Sequence, residues 1–151
     1  MAPSRCDIQS AAVEQTDVAD VKAGGAVNFH IAGFHHLLIY DDGTKPEDIN
    51  IAATIPPTTQ SVPPLINDPV KRIYRGLDPS VLPALPGSTP PQPLQDRIET
   101  VRFPNPGKFL VLCGVLPHFF DAATGQFIMF GYVRVLPQGP GAGRASARPA
   151  S

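Results

Sequence analysis

"KFLVLCGVLPHFFDAATGQFIMFGYVRV", residues 108–135, decides how the chain is read. It holds one of only two cysteines and one of only two methionines, with a histidine between them. Successive side chains of a strand point to opposite faces. In "KFLVLC", Phe109, Val111 and Cys113 therefore share one face, and Lys108, Leu110 and Leu112 the other. Lys108 marks the solvent side, so Cys113 is expected to point inward. In "FIMFGYVRV", Met129, Gly131, Val133 and Val135 share a face opposite Arg134, so Met129 is expected to point inward as well. A thiol and a thioether then meet at one end of two neighbouring strands, with His118 on the loop that joins them.

The rest of the chain repeats this strand-and-turn pattern. "AVNFHIAG" alternates Val27, Phe29 and Ile31 with Asn28, His30 and Ala32, and predicts a strand after the turn "KAGG". "HHLLIYDDG" predicts a second strand, apolar on both faces and closed by an Asp-Gly turn. In "TKPEDINIAA", Thr44 as a cap and Pro46 in the first turn predict a short helix. "KRIYRGL" predicts one short strand or turn within an irregular stretch, "DRIETVRF" a further strand, and "PNPG" a turn before Lys108. Short strands, frequent turns and no long helix indicate an all-β, antiparallel Greek-key sandwich. A single domain is expected over residues 7–137, with a proline-rich insertion at 46–96 and a disordered Gly/Ala/Arg/Ser/Pro tail at 138–151.

Composition narrows the function. The 151 residues suffice for one well-filled core. A formal charge of −1 gives no electrostatic reason to expect nucleic acid or an anionic membrane as partner. The 19 prolines, mostly between residues 46 and 105, oppose helices there. No apolar run approaches the roughly 20 residues of a membrane span. "MAPSRCDIQSAAVEQTDV" lacks the apolar centre of a signal peptide, and either a cytoplasmic protein or a mature form is expected. A Cys6–Cys113 disulfide would compete with any metal role for Cys113. A Cys–His nucleophile needs an orienting third group and an oxyanion hole. Nothing in the sequence supplies them, and no enzyme is expected.

Two imidazoles and one thiolate, with a weak thioether, form the soft donor set that holds copper for electron transfer. Beyond His118, the chain offers His30, His35 and His36. His30 falls on the polar face of its strand with Asn28, which leaves His35 and His36. Adjacent side chains on a strand point apart, so one of the two faces Cys113. Parity does not choose between them, because "LLIY" is apolar on both faces.

At these residues the sequence resembles the cupredoxins, the small blue copper proteins. "GFHHLLIYDD" is similar to the family segment in which a ligand histidine opens a strand. "PGKFLVLCGVLPH" is similar to its Pro-Gly turn, strand, cysteine and loop to histidine, and "MFGYVRV" to its methionine and final strand. The resemblance implies a type 1 copper ion on His36, Cys113, His118 and Met129, and a one-electron carrier exchanging electrons with redox partner proteins. It also implies a periplasmic or otherwise extracytoplasmic setting. The alternative is a cupredoxin-fold module for copper sensing or delivery, or one without copper. The sequence departs from the family pattern in three places. Ten residues separate His118 from Met129, which leaves Gln126 or a backbone oxygen as the substitute axial donor. Leu37, an apolar residue, follows His36 where the family often has a polar one. The proline-rich middle has no compact counterpart. Pro117 restricts the loop before His118. Phe119 and Phe120 read as packing, or else as an apolar rim for a partner.

Overall fold

A computed structural model describes residues 17–55, 63–80 and 96–139. The expected tail lies almost wholly outside these residues, and Cys6 lies outside them. The first strand, β1 (Asp17–Lys22), turns at Ala23 and Gly24 into β2 (Gly25–Ile31). After β3 (Leu37–Asp42) comes one 3-10 turn, Pro46–Asp48. Here Lys45 rather than Thr44 takes the cap position, its N–H donating to Asp48 Oδ2 at 2.9 Å. Two short strands, β4 (Thr54–Ile55) and β5 (Leu65–Ile66), pair with each other, and β6 (Arg72–Arg75) follows. The second half holds β7 (Arg97–Phe103), β8 (Gly107–Cys113) and a single helical turn, α1 (Leu116–Phe119). A small hairpin of β9 (Phe120–Asp121) and β10 (Gln126–Phe127) leads into β11 (Phe130–Leu136).

Five strands form one sheet in the order β1-β11-β8-β3-β6, and β2 pairs with β7 in a second. The expected all-β sandwich is present. Its pairing is mixed rather than wholly antiparallel, because β1 lies parallel to β11, with Val21 opposite Val135. Parallel neighbours need a long connection, and here nearly the whole domain separates the two strands.

The inner core lies between the sheets. Val27 and Phe29 of β2 and Val101 and Phe103 of β7 meet Leu37, Ile39, Phe109, Val111, Val133 and Val135 of the five-stranded sheet. The alternation read from the sequence produces this face strand by strand. The outer face of the same sheet is also covered. Leu38, Tyr40, Leu110 and Leu112 pack against Ile49, Ile66 and Phe119. That second layer explains why "LLIY" is apolar on both sides. Tyr40 fastens it, its hydroxyl donating to Asp68 O at 2.7 Å. Phe119 is fully buried there and the Phe120 ring lies tilted against Phe127, so the tandem aromatics act as packing.

Candidate metal centre

Cys113 ends β8 on the inner face, opposite Leu37 of β3. It is a free, buried thiol. The chain then leaves the strand through Gly114, whose N–H donates to His36 O at 2.6 Å. A β-carbon at Gly114 would stand 2.9 Å from Leu38 Cδ1 and 3.0 Å from His36 Nδ1, so the two strands approach this closely only because residue 114 is glycine. The turn of α1 closes with His118 N–H donating to Val115 O at 2.8 Å, and this folds the His118 ring back over Cys113. Residues 64–66 run alongside. Ile66 N–H donates to Gly114 O at 2.7 Å and Leu116 N–H to Pro64 O at 3.0 Å.

His35, not His36, completes the cluster. Cys113 Sγ lies 3.6 Å from His35 Nδ1 and 3.7 Å from His118 Nδ1, and the two Nδ1 atoms are 3.2 Å apart. The cause is strand register. Leu37 and Ile39 belong to the inner core, so His35, two residues before Leu37, shares their face. His36 shares the outer face with Leu38 and Tyr40 and is fully buried away from the cluster. Its Nε2 meets Gly76 O at 3.2 Å, which fits the neutral tautomer with Nε2–H donating, while Nδ1 has no partner. The expected ligand role of His36 is therefore corrected to His35. The polar residue that follows the first ligand is then His36 itself. His30 is exposed, as expected.

Burial keeps the ring nitrogens available. It pushes the proton affinities of His35, His36 and His118 below the ordinary value of 6.5. For His35 the neighbouring His118 and Arg97 add to that effect. Burial raises the Cys113 thiol above 9.0, against the opposing pull of the nearby His36 and Val115 backbone and the Arg97 charge. A bound cation stabilises the ionised thiol, so binding a metal here displaces a proton.

The three donors suit a transition metal. Their mutual distances place the equidistant point about 2.0 Å from each atom, within the range of about 2.0–2.3 Å over which zinc bonds imidazole and thiolate. Three donors of this kind with a thioether beside them are the soft set preferred by a copper electron-transfer site. Met129 is that neighbour. It packs on the cluster of Leu65, Cys113 and Val115, and its carbonyl accepts from Cys113 N–H at 3.2 Å. Gln126, the substitute axial donor, is exposed in the small hairpin.

Along the chain the residues of this cluster come in the order His35, Cys113, His118, with Met129 packed beside them. Among solved structures the chain is similar to the sodium-dithionite-reduced auracyanin of the photosynthetic bacterium Roseiflexus castenholzii. The two share 19% identity at a TM-score of 0.46, over 80% of this chain and 84% of that one. No protein-family model and no curated protein matches the chain.

Proposed function

We propose that the protein is a one-electron carrier with a mononuclear type 1 copper ion held by His35, Cys113 and His118, and by Met129 as the weak fourth ligand. The convergence of one thiol and two imidazole nitrogens at the end of a buried strand carries this reading. Copper, when bound, supplies the Cu(II)/Cu(I) couple. The protein's part is to hold its donors still. Cys113 is fixed at the end of a five-stranded sheet, and Pro117 and the α1 turn fix His118. A donor set that moves little between oxidation states adds little reorganisation to electron transfer. Cys113 is shut away from water, while the half-buried His118 gives the route by which electrons reach a redox partner. No substrate pocket is required for this role, and no catalysis is assigned. On this reading the working compartment is extracytoplasmic, which fractionation of cells expressing the full-length protein tests.

Voltammetry of the copper-loaded protein tests the carrier role. A reversible one-electron couple that survives repeated cycling without loss of copper is expected. Rapid surrender of Cu(I) to a chelator during cycling would favour copper delivery instead.

A further inference from the structure

The inward face of β7 carries two charges that a sandwich interior does not require. Arg97 and Glu99 follow the same parity as Val101 and Phe103, and their side chains are only 6% and 4% exposed. Arg97 Nε donates to Glu99 Oε2 at 2.9 Å. A buried ion pair is often no more stabilising than apolar residues of the same volume, so what the pair holds is the better guide to its role. Arg97 Nη2 donates to His35 O at 2.5 Å and to Leu77 O at 3.3 Å. Glu99 Oε1 accepts from Tyr74 Oη at 2.8 Å and from Leu77 N–H at 3.1 Å. One residue earlier, Asp96 Oδ1 accepts from Gly33 N–H at 3.0 Å. The start of β7 thus grips the segment before β3 at two points. Gly76 N–H donates to Leu37 O at 2.8 Å, and a β-carbon at Gly76 would collide with the Glu99 carboxylate.

We infer that Arg97 is a positioning residue: oriented by Glu99, it reaches across from the second sheet and holds the backbone of His35 in its ligating place before any metal arrives. The inference rests on the copper reading for its purpose, but not for its test. His35 precedes the first residue of β3, and among the described residues its own N–H makes a local bond to Gly33 O at 3.1 Å. Fixing a residue's backbone costs conformational entropy. Without the clamp, that cost would fall on metal binding; with it, the cost is met during folding.

Two variants test the clamp, Arg97→Lys and the charge-neutral double variant Arg97→Gln with Glu99→Gln. In the metal-free protein, amide hydrogen exchange at Gly33, His35 and His36 is compared with exchange in β8. The double variant is expected to speed exchange at 33–36 about tenfold relative to β8. Its copper affinity, read by competition with a chelator, is expected to fall roughly 10–100-fold, the usual effect of losing a partner that orients a ligand. Arg97→Lys, which keeps the charge but not the fork, is expected to show a smaller change of the same sign. If the double variant fails to fold, Arg97→Lys decides by the same comparison. Unchanged relative exchange at 33–36 would overturn the clamp even in a protein with an intact blue site. A wild-type protein that gives no coloured copper complex would instead overturn the copper reading, and the exchange comparison would still decide the clamp.

Discussion

His35 and His36 differ by one position and by everything that surrounds them. His35→Ala removes a donor 3.6 Å from the Cys113 sulfur and is expected to abolish the copper band or shift it strongly. His36→Ala should keep a coloured site, because its ring touches Gly76 O and the Gly114 region rather than the cluster. Spectra of the two copper-loaded variants check this, and the opposite pattern would refute the strand register. Gly114→Ala is expected to cost about 1–3 kcal/mol, the usual range for an overpacked interior. Chemical denaturation should show that cost partly relieved in the Gly114→Ala, His36→Ala pair, since one steric conflict is shared. The inward aim of Cys113 was legible from parity in "KFLVLC". The choice of histidine was not, because it depends on Leu37 lying opposite Cys113, a pairing between strands far apart in sequence. Arg97 and Glu99 were missed although parity places them with Val101 and Phe103. Opposite charges two residues apart on an apolar face were the available signal.

Among the elements, the described part of the proline-rich segment has a role that its composition hides. Leu65 and Val115 form an isolated bridge, and Ile66 is fully buried against the outer face of β3 and β8. Ile66→Ala is expected to cost about 2–5 kcal/mol, read from the denaturation midpoint, and to hasten copper release, because residues 64–66 hydrogen-bond the loop between Cys113 and His118. Normal stability and release would mean that the segment merely passes over the site. The strands β2, β3, β7, β8 and β11 were legible from period and turns, and β6 only as a strand or a turn. The pairing of β5 with β4 was not, since two-residue strands carry no period. β1 was missed for a similar reason: Val18 is 44% exposed, and "DVADVK" lacks the alternation of a half-buried strand.

For the whole molecule, the desolvated histidines and the thiol set a stability window for the metal-free protein. Below pH 6.5 the unfolded chain takes up protons that His35, His36 and His118 in the fold resist, so stability falls as pH drops through that value. Above pH 9.0 the unfolded Cys113 ionises before the folded one, so stability falls again. The melting temperature should therefore be highest between these values, with a shallower acid limb in His36→Gln; an acid limb unchanged in that variant would contradict the assignment. The sandwich as a class was legible because its inner face is written strand by strand. The parallel contact of β1 with β11 was not, because it joins the two ends of the domain. The central claim is that Cys113, His35 and His118 converge to bind one copper ion through a thiolate. Visible absorption during titration of the reduced, metal-free protein with Cu(II) tests it most directly. The expected result is an intense blue or green charge-transfer band that saturates at one equivalent and is absent in Cys113→Ser. A protein that stays colourless, or a band that persists in Cys113→Ser, would contradict it.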